Sequence, residues 1–158
     1  MKVIGIDPGQ DGGIAVFTMN PMAFLSVIDM PVLDAKFKMM DIPRIVQFLC
    51  LPSGMNPGMV FIEKAQCMPR QGVVSVSHYM QGYGEIIGML KSREIPYKEI
   101  PASTWKRALG LGKNKDESVT MVQQKYPFLS KILHGSRGGK KDGKAEAILI
   151  ALYGMSTF

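Results

Sequence analysis

Three carboxylates stand where carboxylates are awkward. Asp7 closes an apolar, β-branched run (KVIGID), Glu63 closes another (MVFIE), and Glu146 interrupts an apolar helical stretch (AEAILIALY). Asp142 lies four residues before Glu146, so both project from nearly one helix face if the helix starts by Asp142. Each has an ordinary explanation taken singly: a strand-end cap, a salt bridge, a dipole-favoured acid in a first helical turn, a snorkelling glutamate. Taken together they converge if the first and fourth strands are neighbours and the last helix packs on them. Two like charges 4 Å apart repel by about 1 kcal/mol in water and by about 4 kcal/mol at an effective dielectric near 20. Such a cluster calls for divalent cations or for protonation. An all-oxygen donor set selects Mg²⁺ or Mn²⁺ over zinc or copper. Two such ions about 3.5–4 Å apart are the usual device for hydrolysing a phosphodiester, one activating water and the other stabilising the leaving 3′ oxygen.

Positioning these acids falls to a chain of 158 residues. That length suits one domain spanning 1–158 and is too short for two ordinary ones. Apolar residues make up 46% and charged residues 20%, a globular balance. No stretch approaches the ~18 uninterrupted apolar residues of a membrane span. The opening MKVIGIDPGQ lacks the apolar region and cleavage site of a signal peptide, so a cytoplasmic location is expected. Cys50 and Cys67 are too few for a disulfide framework or a zinc site.

The expected elements follow from periodicity and punctuation. Lys2–Asp7 is a strand ended by Pro8 and Gly9, and Ile14–Thr18 and Phe24–Met30 complete an antiparallel meander. Asp41 caps a helix with Pro43 in its first turn and an apolar face of Ile45, Val46, Phe48 and Leu49. Met59–Glu63 is a buried fourth strand, Val73–Arg93 a long helix ending before Pro96, and Tyr97–Ile100 a fifth strand. A helix from Pro101 through Lys106, another over Asp116–Lys125, a basic Gly-rich loop over Gly135–Gly143 and an apolar helix over Ala145–Tyr153 follow. The condensed order β-β-β-α-β-α-β-α is that of an α/β sandwich with a mixed sheet.

The segments IDPGQDGG, VFIEKAQCMPRQG, the WK pair at 105–106 and DGKAEAILIA occur, in this order, in the RuvC-like Holliday junction resolvases of the RNase H-like superfamily. The chain resembles that family over essentially its whole length. The resemblance implies an RNase H-like fold, a five-stranded mixed sheet flanked by helices. It implies a homodimer that nicks two opposing strands of a four-way DNA junction with Mg²⁺ or Mn²⁺, two ions per site, and neither a small-molecule cofactor nor a membrane. By motif, Asp7 matches the first-strand aspartate, Glu63 the fourth-strand glutamate, and Asp142 and Glu146 the two acids of the C-terminal helix. Bacterial members carry two aspartates three residues apart there. An Asp and a Glu four apart resemble the phage-encoded and chloroplast branches, and leave open which of the two binds metal directly. If the chain is phage-encoded, its compartment is the host cytoplasm. A lysine in the WK region of related resolvases lies near the active site, which makes Lys106 the candidate for stabilising charge on the scissile phosphate.

Lys and Arg number 19 against 13 Asp and Glu, a formal +6. The segment from Lys106 to Lys144 is crowded with bases and holds only Asp116, Glu117 and Asp142. Lys113, Lys115, Arg137, Lys140, Lys141 and Lys144 are the candidates for following a phosphate backbone. In the loop Ala65–Gly72, Met68 and Pro69 can wedge against unstacked bases while Arg70 and Gln71 contact phosphate or base edges. Glycines at 82, 84 and 88 suit a helix packed closely on another backbone, either its own sheet or a dimer partner. His78, His134 and Cys67 have no neighbours in sequence that mark a catalytic pairing. Alternative readings are the same fold acting on other branched DNA or RNA–DNA hybrids, and a non-catalytic junction binder, disfavoured because all four acidic positions are filled. An ATP-binding member of the sugar kinase and actin superfamily needs two domains, which this length does not supply.

Overall fold

A computed structural model describes residues 1–33, 39–50, 57–67, 69–112, 114–134 and 142–158. Strands β1 (Lys2–Asp7), β2 (Gly13–Thr18) and β3 (Ala23–Asp29) form an antiparallel meander in which Lys2 faces Thr18 and Asp7 faces Gly13. Strand β4 (Pro57–Glu63) lies parallel to β1 on its other side, and β5 (Tyr97–Ile100) lies parallel to β4. The sheet order is β3-β2-β1-β4-β5. A parallel neighbour needs a crossover connection. Helix α1 (Ile42–Leu49) lies on the path from β3 to β4, and α2 (Val73–Ser92) on the path from β4 to β5. Helices α3 (Ala102–Ala108), α4 (Lys115–Lys125) and α5 (Asp142–Met155), with a short 3₁₀ turn at Pro127–Leu129, follow β5.

The central strands are apolar on both faces because both faces are covered. Ile4, Ile6, Val60 and Ile62 belong to a core with Ile45 and Leu49 of α1 and Ile86 and Leu90 of α2. Val3, Ala15, Phe17 and Phe61 point the opposite way, into a core with Trp105, Val119, Val122 and the apolar run of α5. Helix α5 lies directly on β1. A methyl group added at Gly5 would stand 2.1 Å from the carbonyl oxygen of Ala147, and one at Gly143 would stand 2.2 Å from that of Asp11. Both positions therefore require glycine for close approach: Gly5 seats the body of α5 on β1, and Gly143 fixes its N-terminal end against the β1–β2 turn.

The elements agree with the sequence reading to within a few residues, and the exceptions are informative. Helix α5 starts at Asp142 rather than Ala145, with Asp142 in the first turn, where a carboxylate favours the helix dipole. Gly143 thus belongs to the helix, while 135–141 of the expected Gly-rich loop lie outside the described residues. All three helices expected after β5 are present, and the 3₁₀ turn at Pro127–Leu129 between the second and the third is an addition to them. Of the two partners expected for the α2 glycines, the chain's own backbone does not pack on them among the described residues. A Cβ at Gly82 would meet the Met40 side chain, and Gly84 and Gly88 face open space among the described residues. No helix among the described residues is long and apolar enough to cross a membrane.

Candidate active site

Parallel pairing of β1 and β4 sets their C-terminal ends side by side, with Ile6 opposite Ile62. The two-residue side-chain period then sends Asp7 and Glu63 to the same face as Val3 and Phe61, the face that α5 covers. Asp142 and Glu146, one turn apart near the start of α5, meet them there. A cavity of about 410 Å³ is lined by Asp7, Glu63, Asp142, Glu146, Lys106 and Tyr79. The turn from Gly9 to Gly12 forms a further part of its wall. The spatial convergence that the sequence reading required is present.

Charge is crowded at this edge. Asp7 is pushed up to about 7, first by burial, then by repulsion from Glu63 and, more weakly, from Glu146 and Asp142. One hydrogen bond opposes that rise: the backbone N–H of Gly9 donates to Asp7 Oδ1 at 3.1 Å. Burial also raises Glu63, with Glu146 adding repulsion, while the indole N–H of Trp105, donated to Glu63 Oε2 at 2.8 Å, pulls it back. Glu146 is only 8% exposed. Its Oε1 accepts from Lys106 Nζ at 2.7 Å and from Ser118 Oγ at 3.5 Å. The same ammonium sits 5.0 Å from the centroid of the Trp105 ring.

Lys106 therefore reaches into the site, as the family resemblance implies. Trp105 has both roles that its chemistry permits: a fully buried core aromatic whose indole N–H holds a carboxylate. Sequence reasoning missed this second role, and it missed Ser118 and Tyr79. A buried indole usually finds a hydrogen-bond acceptor, which is the signal that could have found this role of Trp105; Ser118 and Tyr79 carry no comparable mark.

The donor set fits a hard divalent cation. It consists of carboxylate oxygens, and Asp7 is held near 7 first by burial and then by neighbouring negative charge, both of which a bound cation would offset. As the side chains stand, no three acidic, histidine or cysteine groups among the described residues are near enough together to grip one ion. Lys106 and Trp105 instead occupy Glu146 and Glu63. Gathering these oxygens around one ion therefore takes side-chain rotation.

The DNA-contact candidates divide. Pro69, Arg70 and Gln71 are exposed in the segment that leaves Glu63, with Arg70 at a positive φ of 69°. Lys144 is paired with Asp29 Oδ2 at 3.1 Å and mostly covered, so it ties α5 to the end of β3. Met68, Lys113, Arg137, Lys140 and Lys141 lie outside the described residues, as does the side chain of Lys115. His134 Nδ1 lies 2.7 Å from the carbonyl of Ser130, away from the acidic cavity, and Cys50 and Cys67 are unbridged.

No family model and no curated protein sequence matches the chain. Solved structures do share its fold. Thermus thermophilus RuvC in complex with Holliday junction substrate is 22% identical, with 97% of this chain and 91% of that chain covered and a TM-score of 0.60. A second Thermus thermophilus RuvC structure is 20% identical, covers 99% and 96%, and has a TM-score of 0.57. The fowlpox virus Holliday junction resolvase is 16% identical, covers 99% of both chains, and has a TM-score of 0.65. With its five-stranded mixed sheet in the order β3-β2-β1-β4-β5 and these neighbours along its whole length, the chain has the RNase H-like fold of the RuvC-like resolvases.

Proposed function

We propose that this protein is a metal-dependent, structure-selective endodeoxyribonuclease that resolves Holliday junctions by paired, symmetric nicks in opposing strands. The observation that carries the reading is the meeting of Asp7, Glu63, Asp142 and Glu146, from two strands and a helix, in one cavity of a fold shared with a junction-bound RuvC. Asp7, Glu63 and the pair Asp142 and Glu146 would hold two Mg²⁺ ions, with Mn²⁺ also accepted. When bound, such ions supply an activated water and a Lewis acid at the leaving 3′ oxygen.

The chain's own groups do the rest. Trp105 fixes the Glu63 carboxylate through its indole N–H, so one acidic group keeps a defined orientation in a crowded site. Ser118 does the same for Glu146. The ammonium of Lys106 satisfies Glu146 in the ion-free protein and, once displaced, is placed to turn to the scissile phosphate and offset its growing charge. The exposed Pro69–Gln71 segment lies directly beyond Glu63 and suits contact with bases or phosphates at the junction.

Two nicks in opposing strands require two sites related by a twofold axis. The outward side of α2 supports a second copy as its partner. Gly84 and Gly88 leave room there for a close approach, and Val73 and Val74 at the start of the helix and Met80 are exposed.

Asp7→Asn and Glu63→Gln are each expected to reduce nicking of a synthetic four-way junction by about a thousandfold or more. Junction affinity should stay equal or rise, because a repelling charge is gone; full activity in either variant removes that residue from the catalytic set. Wild-type nicking should stop in chelator and return with Mg²⁺ or Mn²⁺, and linear duplex and RNA–DNA hybrid should be poor substrates.

The raised Asp7 carboxyl makes ion loading dependent on pH. Its folded value near 7 lies above the unfolded one, so the ion-free protein is most stable below about pH 4 as far as this group is concerned. That contribution is lost as pH rises through about 7, where the ionised group stays buried beside other acids. Added Mg²⁺ should therefore raise the melting temperature more at about pH 8 than at about pH 6. Equal shifts at the two pH values contradict cation binding at Asp7. Gly84→Arg should halve the sedimenting mass without altering the circular dichroism spectrum; an unchanged mass places any dimer contact elsewhere.

A further inference from the structure

The buried stripe of α2 runs through Tyr83, Ile86 and Leu90, packed beneath the sheet on the face opposite α5. Tyr79 stands four residues before Tyr83, on the same stripe one turn nearer the helix start. There the stripe passes the end of the sheet. Tyr79 is half-buried, and the cavity it lines is that of Asp7 and Glu63. Two tyrosines in succession thus occupy positions that packing alone would fill with leucine.

Their hydroxyls differ in employment. That of Tyr83 donates to Glu99 Oε1, joining α2 to β5. That of Tyr79 has no hydrogen-bond partner among the described residues, although it lies in the fields of Glu63 and Asp7. Burial, and then those two carboxylates, hold its proton more tightly than usual, so the phenol is a neutral donor throughout the physiological range. A phosphodiester entering an acidic cavity needs donors that face it. Among the described lining residues, the side chains able to donate without accepting charge from a carboxylate base are Lys106, Gln10 and Tyr79. Lys106 is paired with Glu146 until it is displaced, and Gln10 lies on the β1–β2 turn, whereas the ring of Tyr79 continues a packed stripe and its hydroxyl needs no displacement.

We propose that Tyr79 is a substrate-contacting residue whose phenol donates a hydrogen bond to a non-bridging oxygen of the scissile phosphodiester, approaching from the α2 side while Lys106 approaches from the α5 side. The assignment rests on the nuclease reading above and adds a residue to it. It requires no change in the ligands of any cation. Its contribution belongs to the seated phosphate and its transition state more than to overall junction affinity, which many backbone contacts share.

The test is single-turnover nicking by wild-type protein and Tyr79→Phe, in Mn²⁺, on four-way junctions with an all-oxygen scissile phosphate or with either phosphorothioate diastereomer. Tyr79→Phe is expected to nick about 10- to 100-fold more slowly, with junction affinity within about twofold of wild type. With one diastereomer, sulfur should slow the wild type and add little in Tyr79→Phe, because the hydrogen bond that sulfur weakens is already gone. A purely structural tyrosine would leave the two thio effects equal in both proteins, and that result overturns the proposal, as does wild-type nicking by Tyr79→Phe. Wild-type protein that fails to nick any junction sinks the nuclease reading itself, and this assignment with it. A nicking wild type beside an unimpaired Tyr79→Phe removes Tyr79 alone.

Discussion

The burial of mutually repelling acids at one edge of the sheet is the constraint around which the molecule is arranged. Raising a carboxyl from 3.8 to about 7 means that ionising Asp7 in the ion-free protein costs on the order of 4 kcal/mol. A domain of this size is stable by only about 5–15 kcal/mol, so the site consumes a large share of that margin. Packing alone has no use for such an arrangement, because an apolar residue at the end of β1 would avoid the cost. The repulsion is offset locally, by the Gly9 amide at Asp7, the Trp105 indole at Glu63 and the Lys106 ammonium at Glu146. Each of these offsets is a single contact, and on the proposed function the Lys106 ammonium is the one that a divalent cation would displace.

The rest of the fold serves to keep the acids together against that repulsion. Parallel pairing makes two strand ends coincide, which an antiparallel pair cannot do. Gly5 lets α5 lie on β1 with backbone touching backbone, and Gly143 brings the first turn of that helix onto the β1–β2 turn. Nine of the buried residues of α5 face other elements with almost no solvent contact, so the helix cannot drift outward and relieve the charge. Rigidity here has a chemical purpose: carboxylates that repel must be held by their scaffold if they are to receive cations without a further cost of reorganisation.

Much of this was legible in the residues. The apolar runs ending in Asp7 and Glu63 have the length and β-branching of buried strands, and Glu146 within AEAILIALY has no comfortable place on a packed helix unless another charge meets it. The start of α5 was read three residues late because Gly143, in a Gly-rich basic segment, reads as a loop breaker; close contact with Asp11 and Gly12 overrides that local preference. The α2 glycines mark a close approach, to the chain's own sheet or to a dimer partner, and glycine spacing records closeness without naming which; two of the three face outward. Tyr79 and Ser118 escaped notice for a different reason. They are ordinary helical residues whose meaning arises only from where α2 and α4 come to rest beside strands distant in sequence.

On the proposed function, the same arrangement would let a basic protein present an acidic site to an acidic polymer. On the proposed nuclease reading, the formal +6 would attract the polymer from a distance, while the local carboxylates would repel it on arrival unless cations neutralise them. The most direct measurement is anomalous diffraction from crystals grown in Mn²⁺. The expected result is Mn²⁺ peaks within ligand distance of Asp7 and Glu63 and of at least one of Asp142 and Glu146, with Lys106 turned away from Glu146. Crystals that hold Mn²⁺ only elsewhere, with the Lys106–Glu146 pair intact, would contradict a cation site at this sheet edge.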